Sequence, residues 1–176
     1  MFKTILVATD GSGHADKAVE LACDLAAKYD ARLLALHVLL SGDPIDQMRH
    51  WAEVEHVGGF GAPGTKSAIG DVPVAKAPTI GAGDRGETLT HEVAEFIGDQ
   101  ILKEASAAAK AKGVRQVKTR IEDGNPTKCI LECAKQEGAD LIVVGSRGLG
   151  DLASLLMGSV SHKVSHLAEC TCITVK

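Results

Sequence analysis

Apolar residues come in two rhythms along this chain. Lys3 to Thr9, "KTILVAT", is a near-continuous apolar run, the pattern of a strand covered on both faces. "RLLALHVLL" from Arg32 to Leu40 repeats it, and so does "ADLIVVG" from Ala139 to Gly145. Between these runs the period lengthens. Asp16 to Tyr29 sets Ala18, Leu21, Ala22, Leu25 and Ala26 at helical spacing. Leu89 to Lys112 does the same with a stripe of Val93, Phe96, Ile97, Ile101, Ala105 and Ala108, and Gly113 stands as a stop. "QVKTRIE", Gln116 to Glu122, alternates and predicts a more exposed strand. Asn125 followed by Pro126 is a helix start, an N-cap with proline in the first turn. That helix is expected to reach about Gln136 and to end at Gly138. A helix over Ser159 to Ala168 and a short last strand, "CITV", complete the series.

Strands alternating with helices predict an α/β fold. We expect an open five-stranded parallel sheet, doubly wound, with right-handed crossovers and helices on both faces. Ligands of such sheets sit at the carboxyl ends of the strands, where the strand order reverses. The strand ending at Gly145 runs straight into a loop holding Gly148, Gly150 and Gly158. One segment breaks the rhythm. Residues 41–87 separate the second strand from its helix, and Gly58 to Glu87 holds eight of the nineteen glycines and three of the five prolines. We read the whole chain as a single domain with a flexible insertion at 41–87. Gly58 to Gly86 is expected to be mobile, and Pro44 to His56, "PIDQMRHWAEVEH", to form a short helix. A plain surface loop and a lid or partner-binding arm are both open for it.

Composition narrows the class. The 176 residues are 45% hydrophobic, enough to build a core, with net charge −4. No dense Lys/Arg stripe appears, and aromatic residues make up 3%, so nothing favours nucleic acid or a membrane surface. The longest apolar runs are strand-sized, too short to span a bilayer. "MFKTILVATDGSG" lacks the long apolar core and cleavage site of a signal peptide. Five cysteines, an odd number without disulfide-rich spacing, fit a reducing cytoplasm.

The glycine loop fails two common phosphate-cradle tests. Gly145 and Gly150 have P-loop spacing, but Asp151 stands where lysine is needed, and an acid there would repel phosphates. Gly148, Gly150 and Ala153 formally match the dinucleotide fingerprint, yet no strand with an acid about 20 residues on can follow so near the end of the chain. The pyrophosphatase-type cradle after the first strand is missing too, since that place reads "TDGSGHA". What remains is Gly145, two residues, Gly148, nine residues, then Gly158-Ser159.

With "ILVATDGS", "LHVL", "GNP" and "ADLIVVGSRG" in order around that spacing, the sequence resembles the universal stress protein family, its ATP-binding subgroup. The resemblance spans most of the chain outside Gly58 to Gly86. It implies the fold of the adenine-nucleotide alpha-hydrolase-like, Rossmann-like class. It implies ATP as ligand, allows Mg or Mn with it, and assigns Gly145, Gly148, Gly158, Ser159 and Val160 to phosphates and ribose. Asp10 corresponds to the acidic adenosine contact. Ala8 and Val38 match positions lining the adenine pocket through their backbones, Arg147 is within reach of a phosphate, and Thr9 and Val144 complete the set. Such glycines admit close approach and φ > 0, and a helix starting near Gly158 turns N–H groups to an anion. The resemblance also implies a homodimer joined through the last strand, although Thr171 stands where family members often carry proline. It leaves room for a protein partner of unknown kind.

Other candidates have simpler readings. His162 and His166, with Cys170 a turn on, have metal-ligand spacing but lack a full ligand set. Cys129 and Cys133 read as small core residues. Cys170 and Cys172 would point to opposite faces of a strand. His37, inside an apolar strand, reads as a satisfied core or pocket-edge residue. No catalytic lysine, arginine finger or general base can be placed. A nucleotide-dependent regulatory or stress-response protein is therefore expected, with a slow ATPase or adenylate-chemistry enzyme as the alternative.

Overall fold

In the computed structural model of the chain, residues 1–39, 84–148 and 157–176 are described. The order is β1 (Thr4–Ala8), α1 (Gly13–Tyr29), β2 (Arg32–Leu39), α2 (Asp84–Ala111), β3 (Val117–Asp123), α3 (Pro126–Glu137), β4 (Leu141–Gly145), α4 (Ser159–Leu167) and β5 (Thr171–Val175). Every strand pairing is parallel. The sheet order is β3-β2-β1-β4-β5. The chain thus works outward from β1 through β2 to β3, returns, and works outward on the other side from β4 to β5. The order reverses between β1 and β4, which are hydrogen-bonded neighbours with Ile5 opposite Leu141 and Ala8 opposite Val144.

Successive residues of the central strands feed two separate cores, which is why these strands read as unbroken apolar runs. Ile5, Val7, Leu33, Ala35, Leu141 and Val143 pack under α1 and α2. Leu6, Leu34, Leu36, Ile142 and Val144 pack under α3 and α4. The helix ends carry local signals. Ser12 Oγ accepts from the Ala15 N–H at 3.3 Å and caps α1. Asn125 Oδ1 accepts from Lys128 N–H at 3.1 Å and caps α3, with Pro126 in its first turn and Gly138 closing it at φ 62°. At the amino ends of the strands, Asp140 takes the Lys3 N–H at 2.9 Å.

Two expectations need correcting. Helix α2 begins at Asp84, not Leu89, so the last residues assigned to the insertion open a helix. The rest of the insertion, including Pro44 to His56, lies outside the described residues. The buried stripe of α2 is Ala94, Gly98, Leu102, Ala105 and Ala109. Of the expected stripe only Ala105 is buried; Val93 and Phe96 are exposed, the latter 46%. The helix lies close on β2, β3 and α1, and close packing selects small side chains over large ones.

Candidate functional site

Beyond Ala8 the chain turns sharply into α1, and the turn is built from side chains bonding their own backbone. Thr9 Oγ1 accepts from the Gly11 N–H at 3.3 Å, and Asp10 Oδ1 accepts from the Ser12 N–H at 3.0 Å. Gly11 takes φ 78°, a conformation that favours glycine. Strand β2 holds the same turn from the side. Thr9 N–H donates to the Leu36 carbonyl at 2.9 Å, and the His37 ring bonds the Thr9 carbonyl through Nδ1 at 2.9 Å. A carbonyl only accepts, so Nδ1 carries the proton. Burial holds the His37 imidazole below its ordinary pKa, opposed by the Thr9 hydrogen bond and the nearby Asp10 charge.

Strand β4 meets this turn from the other side of the reversal. A Cβ placed on Gly148 would lie 2.5 Å from Asp10 Oδ2. The glycine backbone therefore sits hard against the carboxylate, and any side chain there must displace it. A Cβ on Gly145 would lie 2.9 Å from the Ala15 backbone nitrogen, at the start of α1. None of Gly145, Gly148 and Gly158 takes positive φ, contrary to the expectation for this loop. Their lack of a side chain serves close approach: of the loop to Asp10 and of β4 to α1.

Ser146 gathers the remaining pieces. Its N–H donates to the Val175 carbonyl at 2.6 Å, tying the end of β4 to the end of β5. Its carbonyl accepts from the Gly158 N–H at 2.7 Å and from Ser161 Oγ at 2.8 Å. Both serines are buried. The start of α4 is thereby fastened beside Gly145 and Gly148, although nine residues separate Gly158 from Gly148 in sequence. Gly158 is the N-cap of α4 and brings no side chain to cover the helix end. Residues 149–156, the middle of the loop, lie outside the described residues.

The expected site residues converge on this place from four elements. Thr9 is buried and Asp10 half-buried at the end of β1, while Gly148 and Ser159 are exposed at the rim. Arg147 is half-buried between Ser146 and Gly148. Ala8, Val38 and Val160 pack, partly buried, against the core cluster that contains Val144, so these apolar members share one face. Sequence reasoning missed Ser146 and Ser161, and it did not foresee that His37 grips Thr9. A serine inside a loop motif carries no mark of which carbonyl or amide it will meet.

The remaining candidates stay apart from this place. His162 and His166 stack at 6.5 Å between ring centroids on the exposed side of α4. Among the described residues no three His, Cys, Asp or Glu side chains gather to hold a metal ion. Cys133 lies in the core, but Cys129 is only half-buried, with Sγ 3.7 Å from the Asp123 carbonyl, because it faces the open groove between α3 and β3.

Comparison with known proteins agrees with this architecture. The profile of the Universal stress protein family matches residues 1–46 and 73–176. Universal stress protein YxiE of Bacillus subtilis is 35% identical over 176 residues, covering all of both chains. A universal stress protein solved in complex with cAMP is 25% identical, with TM-score 0.62, over 99% of this chain and 97% of that one. The universal stress protein UspA of Lactobacillus plantarum superposes with TM-score 0.69 at 21% identity, over 99% of this chain and 97% of its own. The strand order, the glycine spacing and these matches over the whole length lead to one conclusion: the chain belongs to the universal stress protein family.

Proposed function

We propose that this protein binds ATP at the reversal between β1 and β4 and works as a nucleotide-dependent regulatory protein of the stress response. The observation that carries the reading is the contact of the Gly148 backbone with the Asp10 carboxylate, beside a helix start fastened by the Ser146 carbonyl. In this reading Asp10 accepts hydrogen bonds from ribose hydroxyls. The backbones of Gly145, Gly148, Gly158, Ser159 and Val160 lie along the phosphates, where a helix N-terminus favours an anion. Ala8, Thr9, Val38 and Val144 form the adenosine side, and Arg147 stands in the phosphate loop. A solved relative in complex with cAMP supports an adenine nucleotide as ligand.

Mg or Mn fits as a companion of the phosphates. Such ions need few protein oxygens when phosphates supply the others, and Asp10 offers a carboxylate at the turn. Dedicated catalysis has weaker support. The sequence assigns no catalytic lysine, arginine finger or general base to this turn and loop, so the reading is of binding without fast turnover. Slow ATP hydrolysis is the second reading, and single-turnover assays for ADP and AMP decide it.

A homodimer through β5 belongs to the same proposal. The two sheet edges differ in kind. β3 carries Lys118, Arg120, Glu122 and Asp123, charges that resist pairing with another strand, whereas β5 carries none from Thr171 to Val175. Among the described residues no helix is long and apolar enough to cross a membrane. Five unpaired cysteines suit a reducing cytoplasm.

Titration calorimetry with ATP tests the site. Wild type is expected to bind, Asp10→Ala to bind more weakly and Gly148→Val not at all. Equal affinity in all three would remove the assignment, and turnover at about 1–100 per second would remove the non-enzymatic reading.

A further inference from the structure

His37 lies at the meeting point of three elements that the nucleotide reading leaves unconnected. It is 8% exposed, near the carboxyl end of β2, with Ile121 of β3 opposite in register. Its Nδ1 proton goes to the Thr9 carbonyl at 2.9 Å. On its other side is α2, and there the chain has Gly98. A Cβ on Gly98 would lie 2.8 Å from His37 Cδ2 and 3.3 Å from Ile121 Cδ1. Gly98 is in a helix interior, where glycine costs about 1 kcal/mol relative to alanine. Its φ is not positive, so the backbone does not require it. What requires it is the imidazole, which has no space to retreat toward α2.

The consequences pass along a short chain of bonds. Thr9 is held by β2 at both backbone atoms, its N–H by Leu36 and its carbonyl by His37. The next residue is Asp10, whose carboxylate meets Gly148. A ring pushed off Gly98 must move against Thr9 or lift α2 from the sheet. Either changes the turn that aims Asp10, and Val38, on the adenosine side, follows His37 in the chain.

We propose that His37 is a positioning residue for the site, seated on Gly98, so that the packing of α2 against the sheet sets how the Thr9-Asp10 turn is presented to a nucleotide. The affinity part rests on the nucleotide reading above; the positioning part does not. A merely space-filling histidine would tolerate leucine and gain nothing special from asparagine. A positioning histidine needs a donor where Nδ1 stands, and asparagine places an N–H near there while leucine does not.

The test compares wild type, His37→Asn, His37→Leu and Gly98→Ala in two measurements, on samples whose thermal melting shows them folded. The first is hydrogen exchange of the Gly11 and Ser12 amides, which donate to Thr9 Oγ1 and Asp10 Oδ1. Exchange should quicken in His37→Leu and Gly98→Ala and stay near wild type in His37→Asn. The second is ATP titration, where His37→Leu should lose about tenfold in affinity and His37→Asn stay within about threefold, the range that one hydrogen bond commands. Unchanged exchange in His37→Leu and Gly98→Ala overturns the proposal. Changed exchange with unchanged ATP affinity overturns its affinity part. A wild type that does not bind ATP overturns the nucleotide reading, and the exchange measurement still decides the positioning. Should His37→Leu fail to fold, Gly98→Ala carries the same comparison with the histidine intact.

Discussion

In the candidate site a carboxylate stands where a side chain on Gly148 would go, and this changes what a substitution there means. From the glycine spacing alone, Gly148→Val would be expected to put a branched side chain in the path of the phosphates. In the structure the new Cβ meets Asp10 Oδ2 first. The two positions should therefore be coupled. Gly148→Ala alone is expected to weaken ATP binding by displacing Asp10, and to do much less harm in an Asp10→Ala background. A double-mutant cycle by calorimetry should give a coupling of about 0.5–3 kcal/mol, as contacting residues do; strict additivity would count against the contact. His37 supports a second prediction at this scale. Its folded pKa lies below its ordinary 6.5, through burial, so the unfolded chain takes up the proton first as pH falls. Its contribution to stability is whole above about 6.5 and is lost as pH drops through the lower folded value. Urea denaturation between about pH 5 and 8 should show wild type losing stability toward acid more steeply than His37→Asn. Parallel curves would refute this.

Among the elements, the strands and caps were legible because their signals are local. Unbroken apolar runs gave the central strands, and Asn125, Pro126 and Gly138 gave both ends of α3. The face of α2 was not legible, for a physical reason. Hydrophobic periodicity weights large side chains, whereas a helix lying close on a sheet buries small ones, and alanine and glycine hardly register in the pattern. Leu102→Ala should thus cost about 2–5 kcal/mol, while Phe96→Ser, taken from the apparent stripe, should stay within about 0.5 kcal/mol. Chemical denaturation compares them, and the reverse order would restore the sequence-based face. The candidate site divides in the same way. The spacing of Gly145, Gly148, Gly158 and Ser159 is written in the chain. The fastening of α4 by Ser146 and Ser161 depends on a carbonyl whose direction only the folded sheet determines.

For the whole molecule, the open question is what covers β5. Ser146 N–H donates to the Val175 carbonyl, so Val175 faces β4 and its neighbour Thr174 turns its N–H outward. Thr174→Pro removes that outward donor without touching the ladder to β4, and proline is tolerated on an edge strand in that orientation. If the proposed β5 dimer holds, light scattering should give a dimer for wild type and a folded monomer for Thr174→Pro. An unchanged dimer would move the interface elsewhere. The central pairing has a consequence of a different sort. β1 is made well before β4, yet they are neighbours, joined at their base by contacts 137 residues apart in sequence. During synthesis β1 waits with one edge unpaired until β4 has left the ribosome. Such long-range closure is slow to form. A nucleotide bridging Asp10 and Gly148 would then fasten the earlier-made side of this pairing to the later-made one.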